Sequence, residues 1–323
     1  MKSEIRRARA LLARAISVAV VSHVRPDGDA VGSLLAFSLS LEQAGIHATP
    51  VLMDGLPSRF RFLPGADRIL RALPEDHDLL VALDCADAER LGIQPGPERP
   101  HVDLNIDHHA TNTHFAAVNL VEPAAAATAE VLHGVLPQLR LPLTRDVALN
   151  LLAGLLADTI GFRTASVTAK TLRIAAELMD WGAPMAQVYQ SVLGLQSFFS
   201  ARYWGTGLSR LAMDDGLVWT TLLQADREKV GYAGFDDADL INLLSNIEGA
   251  RVAVVFVEQP GQRVKVSWRS RDGLDVSSLA IQFGGGGHEP AAGAMIEGKL
   301  EVVQDDVLSA TRALLVPTLE AER

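Results

Sequence analysis

Ile16–Ser22 is apolar on both of the faces that a strand presents, and the run stops at His23. A strand that can be covered on both sides belongs inside a parallel sheet with helices over each face. The same kind of run returns at His47–Met53, Leu79–Leu83 and Val102–Ile106. Helix-patterned segments accompany them: Ala30–Ala44 with Gly45 just beyond, Ala127–Leu136 ended by Pro137, Arg145–Asp158, and Thr168–Trp181 capped by Gly182. This alternation predicts an α/β fold, a doubly wound parallel sheet, in the first half of the chain. Near residue 190 the strands come closer together. Leu208–Met213 and Leu217–Leu223 flank the turn Asp214-Asp215-Gly216, Ala250–Glu258 and Gln262–Ser270 flank Pro260-Gly261, and Val276–Phe283 reads as a helix. The sequence thus divides into a first domain over 1–189, a linking helix over 190–206 and a smaller α/β domain over 207–323.

Composition narrows the classes. The chain has 323 residues, 48% hydrophobic and 21% charged, which excludes a disordered chain. Its 29 Lys and Arg against 39 Asp and Glu give a net charge of −10, a poor basis for stable duplex-DNA binding. Any phosphate must be met locally, by metals or a few basic groups. No apolar run approaches the roughly 20 residues of a membrane helix. Residues 3–15, with Arg6, Arg7, Arg9 and Arg14 around Glu4, read as an amphipathic surface helix rather than a transit peptide. Cys85 is the only cysteine, so no internal disulfide forms, in keeping with a reducing, cytoplasmic setting.

Four segments carry the chemistry. His23, Asp27 and Asp29 share a tight loop after the first strand, with Gly28 letting it turn. Asp84 closes the run Leu79–Leu83, where a carboxylate is costly unless paired or metal-bound. Asp107, His108 and His109 follow the fourth strand, and Asp158 ends an apolar helix. Carboxyl ends of strands are where open α/β sheets bind ligands. Imidazole and carboxylate together suit manganese, magnesium, iron or zinc. The ligands suffice for two ions sharing an Asp, the arrangement that serves phosphoryl displacement. Other residues carry less. Cys85 reads as a small buried filler, and His47, His77, His101, His114 and His133 have no partner spacing. Arg163 suits a phosphate contact or a structural role equally. Phe198, Phe199, Tyr203 and Trp204 are expected to pack the linking helix.

These four segments, in this order, resemble the motifs of the DHH phosphoesterases. Gly284-Gly285-Gly286-Gly287-His288 with Ala291-Ala292-Gly293 resembles the signature of the associated C-terminal domain. Asn105–His109, Thr128-Ala129-Glu130-Val131, Ala157–Arg163 and Val266–Ser270 resemble the short two-domain members, the nano-RNases that also act as phosphatases of 3′-phosphoadenosine 5′-phosphate (pAp). The resemblance implies one manganese on His23, Asp27 and Asp84, and a second on Asp29, Asp84, His108 and Asp158, with magnesium or another divalent ion as a substitute. It implies that Asp107 orients the ligands, that His109 contacts the phosphate or protonates the leaving oxygen, and that water activated between the ions attacks. The glycine run, Gly285, Gly286 and Gly287 above all, is expected to form an anion nest, with His288 and Arg269 beside it for substrate. The implied activity is hydrolysis of short oligoribonucleotides and pAp. Linear or cyclic dinucleotides are the alternative substrates, and a RecJ-type exonuclease fits a short acidic chain less well. A homodimer is compatible with the sequence.

Overall fold

The structure is a computed structural model that describes residues 2–93, 101–194, 197–271 and 273–315. It divides into two compact units, Met1–Leu195 and Gln196–Arg323. Among the described residues no helix is long and apolar enough to cross a membrane.

In the first unit the order is α1 (Lys2–Leu12), β1 (Ser17–Val21), α2 (Gly28–Gln43), β2 (His47–Val51), β3 (Leu79–Leu83), β4 (Leu104–Asp107), β5 (Val118–Val121), α3 (Thr128–Leu139), α4 (Arg145–Asp158), α5 (Ala169–Asp180) and α6 (Met185–Tyr189). The five strands form a wholly parallel sheet in the order β2-β1-β3-β4-β5. β1 and β3 lie inside it, and their side chains are buried on both faces, as continuous apolar runs require. Pro50 is confined to the edge strand β2, where a missing N–H is tolerated. Because the strands are parallel, His23, Asp84 and Asp107 emerge at the same end of the sheet.

In the second unit α7 (Phe198–Leu208) precedes β6 (Ala212–Asp214), β7 (Leu217–Leu222), α8 (Gln224–Val230), α9 (Leu240–Leu244), β8 (Val252–Gln259), β9 (Arg263–Ser270), α10 (Val276–Gln282), β10 (Gly286–His288), β11 (Ala291–Glu297) and α11 (Leu300–Leu315). Its six-stranded sheet runs β10-β11-β9-β8-β7-β6, antiparallel except between β7 and β8. One face packs Phe256, Val266, Trp268, Ala292 and Ala294 against α10 and α11. The other packs Val218, Val255 and Val257 against Tyr203 and α9.

Several expectations change. Leu208 ends a helix, and the strand begins only at Ala212, because the apolar residues of α7 reach further than the predicted linker. Phe198 and Phe199 do not pack that helix; both are exposed, whereas Tyr203 is buried and stacks on Tyr232. Pro137 lies within α3, which continues to Leu139. So close to the C-terminus the proline disrupts a single turn, and Arg140 in the left-handed conformation ends the helix instead. The strand Val118–Val121, too short to stand out in the sequence, completes the parallel sheet.

The close crossing of α2 and α4 sets up the site. A Cβ on Gly32 would run into the backbone of Asn150 and Gly154, and one on Gly154 would meet the Asp29 side chain. Glycine at both positions lets the helices touch, with Asp29 one turn before Gly32 and Asp158 one turn after Gly154. An unhindered helical Gly→Ala change gains up to about 1 kcal/mol. Here backbone overlap dominates, so Gly32→Ala should destabilise the protein by about 1–3 kcal/mol. Urea unfolding of the variant beside the parent protein measures this, and an unchanged or higher midpoint would show that the helices are not in backbone contact.

Candidate metal centre

The site forms where β1, β3 and β4 end. After β1 the chain turns through Arg25, held in the left-handed conformation at φ 56°, with its N–H on Asp54 Oδ2. Asp27 then caps its own helix, its Oδ1 accepting from the backbone N–H of Asp29 and Ala30. After β3, Asp84 also takes a left-handed backbone, φ 55°. Such strain persists only where surrounding contacts hold it, and it gathers at functional positions.

Three ligand-like groups result: His23, Asp27 and Asp84; Asp29, His108 and Asp158; and Asp84, His108 and His109. Asp84 belongs to two of them. Its Oδ2 lies 3.6 Å from His23 Nε2, and its Oδ1 lies 3.8 Å from His108 Nε2. His108 Nε2 is 3.5 Å from Asp158 Oδ2, while its Nδ1 meets Ala125 O at 3.2 Å, which leaves Nε2 free toward the carboxylates. Asp29 is almost fully buried; its Oδ1 accepts from Ser33 Oγ and Ala129 N, and its Oδ2 from Thr128 N at 2.6 Å. Thr128 Oγ1 donates to Asp84 Oδ1 at 2.8 Å. Asp107 Oδ1 meets His109 Nδ1 at 2.7 Å, and its Oδ2 accepts from Asn112 Nδ2 at 2.6 Å.

The electrostatics follow. Burial pushes Asp29 well above the usual carboxylate range, reinforced by the charges of Asp84, Asp158 and Asp27 and opposed by the Thr128 N–H. Burial also raises Asp84, but His23, His108 and His109 outweigh it and hold it low. Asp107 is held low in the same way, by His109 and Asn112 against burial. Its hydrogen bond raises His109 despite that ring's burial. Burial lowers His23, but Asp84 and Asp27 raise it further. Four carboxylates converging on three imidazoles, two of the carboxylates buried, form a set that a divalent cation would satisfy.

Cys85 next to this cluster is buried, its thiol pushed up to about 12 by burial. Its Sγ donates to Asp87 O, which suits a structural filler. The sequence reading did not separate Thr128 from its motif, although it contacts two candidate ligands, Asp29 and Asp84. Its partners lie 44 and 99 positions away, beyond what spacing along a chain reveals.

The residues marked for substrate lie in the second unit. Ala291 is in register with His288 on one side and Arg269 on the other. Registered partners share a face, so these two side chains flank a small residue, opposite the face that carries Trp268 and Ala292. Burial lowers Arg269, opposed by the charges of Asp237 and Asp239. The glycines have a packing reason that an anion nest does not supply. Side chains on Gly285 or Gly287 would run into the backbone of β11, and Gly287 has φ +149°. Gly286 pairs with Gly293.

Asp158 leads to a pH dependence. Burial first, then Asp84 and Asp27, push it up to about 6, against the attraction of His108 and His109. An Asp in the unfolded chain ionises near about 3.9. The folded state therefore holds the proton over a range where the unfolded chain has lost it. This stabilisation is complete below the unfolded value and is lost as pH rises through about 6. His23 and His109, both raised, act in the same direction. Metal-free protein should lose on the order of 1–2 kcal/mol between about pH 5 and pH 7, allowing for the partly exposed Asp158 side chain. Manganese should remove that slope. Thermal melts in EDTA and in manganese across this range decide the matter, and a metal-free melting temperature that rises with pH would contradict the assignment.

Residues 17–155 match the DHH family, N-terminal domain, and residues 236–315 match the DHHA1 domain. The bifunctional oligoribonuclease and PAP phosphatase NrnA of Thermus thermophilus is 38% identical over 301 residues, which cover 91% of this chain and 88% of the relative. Its namesake from Bacillus subtilis is 28% identical over 291 residues, covering 85% and 87%. The crystal structure of an exopolyphosphatase-related protein from Bacteroides fragilis has a TM-score of 0.88 to this chain, covering 98% of each at 23% identity, and so shares its fold. The protein belongs to the DHH family of phosphoesterases, with a DHH domain in its first unit and a DHHA1 domain in its second.

Proposed function

We propose that this hydrolase is a manganese-dependent phosphodiesterase and phosphatase that cuts short oligoribonucleotides to mononucleotides and removes the 3′-phosphate of pAp. The observation that carries this reading is the position of Asp84, whose two oxygens face two separate ligand groups. His23, Asp27 and Asp84 would hold one ion; Asp29, Asp84, His108 and Asp158 would hold the other. When bound, two such ions lower the pKa of water and stabilise charge on the attacking and leaving oxygens. Magnesium or another divalent ion fits the same oxygen-rich set. Similarity to oligoribonucleases that are also PAP phosphatases supports these substrates.

The chain's own groups supply positioning and proton transfer. Asp107 accepts a hydrogen bond from His109 Nδ1–H and favours the charged imidazolium, so the Nε2 proton can pass to a leaving oxygen. Asn112 holds Asp107 from its other side. Arg269 offers a planar, permanently charged donor, and His288 a second polar group two strands away, for the substrate's phosphate or base. Gly285, Gly286 and Gly287 keep that edge free of side chains.

Release of mononucleotide or phosphate from pApA, pAp, a cyclic dinucleotide and pyrophosphate, each with manganese, tests the activity. Turnover of the first two is the expected result, and turnover of pyrophosphate alone would reject it. A chain of net charge −10 repels a longer polyanion and gains little from its added length. kcat/KM should therefore peak at about two to five nucleotides and fall steeply toward about 24. A rate that held level or rose with length would favour a processive nuclease.

Arg269→Ala and His288→Ala separate binding from metal ligation. Each should cost about 1.5–3 kcal/mol, seen mainly in KM, with manganese stoichiometry unchanged. A fall in metal content would place these residues among the ligands instead.

A further inference from the structure

The segment Ala125–Ala129 reaches three of the four side chains assigned to the second ion. Ala125 O fixes His108, the N–H groups of Thr128 and Ala129 hold Asp29, and the Thr128 hydroxyl holds Asp84. Among the described residues, none of these bonds goes to His23 or Asp27. We propose that Thr128 is a positioning residue that sets the affinity of the second cation without touching it. This rests on the two-ion reading above.

The argument turns on the Asp84 carboxylate. Each oxygen must face a different ligand group, yet the terminal torsion of an Asp side chain is broad and soft. Left alone, the carboxylate would rotate and turn both oxygens toward one cation. Thr128 Oγ1 donates to Oδ1, the oxygen on the His108 side, and leaves Oδ2 toward His23. Thr128 is fully buried and β-branched, so its χ1 is stiff. Its position is fixed within the same first turn of the helix. Glu130, also buried, pairs with Lys170 at 3.0 Å and accepts from Thr171 Oγ1 at 2.8 Å, which ties the start of α3 to the start of α5. The same residue thus holds Asp29 with its backbone and Asp84 with its side chain, and these two carboxylates belong together only in the second set.

Thr128→Val removes the hydroxyl, keeps nearly the same shape and leaves the backbone N–H on Asp29. Manganese titration by calorimetry, with electron paramagnetic resonance of free manganese as a second readout, should show the tighter ion bound as in the parent protein. The weaker ion should lose about 10–100-fold in affinity, the range typical of groups that orient metal ligands. Thr128→Ser, which retains the donor, should restore the second ion. Melting in EDTA separates this from a structural role, which would lower the metal-free melting temperature and leave both constants unchanged. Two unaltered constants in Thr128→Val, or equal weakening of both ions, would overturn the proposal. If Thr128→Val does not fold, Thr128→Ala is read by the same criteria. Should the parent protein bind fewer than two ions, the two-ion reading itself fails. Should the parent and Thr128→Val bind two ions alike, only the role of Thr128 fails.

Discussion

Asp29 caps a helix other than its own. Helix α3 starts after Ala127, which has no side-chain oxygen for the first free N–H groups, and no side-chain cap is made there. Asp29, on α2, supplies the missing acceptor to Thr128 N and Ala129 N. A cap of this kind contributes about 0.5–2 kcal/mol, and the positive end of the helix dipole adds to it. The same carboxylate faces His108 and Asp158 in a group that could hold a cation. One group therefore joins α2, α3 and the centre, and α4 reaches it because Gly32 and Gly154 let two backbones touch. Few substitutions at this crossing can alter the fold without altering the site, or the reverse.

This double use explains what the sequence revealed and what it hid. The candidate ligands stand out because two of them break a local rule: Asp84 follows a strand buried on every side, and Asp158 ends an apolar helix. Polar residues in such places demand a partner, and that demand shows in a single chain. The parallel sheet was legible for the same reason, since β1 and β3 are apolar without alternation. Thr128 breaks no rule. A threonine at a helix start is ordinary, and its importance comes from folding it against Asp29 and Asp84. Gly32 reads from the sequence as bringing the start of a helix close to the sheet, and the backbone it approaches is that of α4. The continuation of α3 past Pro137 was hidden because a proline stop is a probability that depends on how many turns remain.

The second unit shows how one pattern can satisfy two explanations. Consecutive glycines before His288 suit an anion nest, and they also suit a strand that approaches β11 too closely for side chains. Packing accounts for Gly285 and Gly287. It does not account for the pairing of His288 and Arg269 across Ala291, two polar side chains on a face whose reverse is a tight core. The register, more than the glycine count, is what supports a substrate role for this edge.

Stability and function pull against each other at the centre, and the hydrogen bonds show where the compromise lies. Repulsion among Asp27, Asp29, Asp84 and Asp158 favours opening the cluster, and a bound cation opposes it by RT ln(1 + [M]/Kd). Most of the carboxylates are nevertheless held by protein donors: Asp27 and Asp29 by backbone N–H groups, Asp84 by Thr128. Those bonds keep the oxygens aimed at the site with no ion to hold them, so little reorganisation opposes binding. Asp158 faces an imidazole, with His108 Nε2 3.5 Å from its Oδ2. Burial raises Asp158 as it raises Asp29, whereas Asp84 stays low because His23, His108 and His109 outweigh its burial. Protein donors therefore fix three of the four carboxylates, while burial raises both Asp29 and Asp158, so a cation competes with a proton at each of these two.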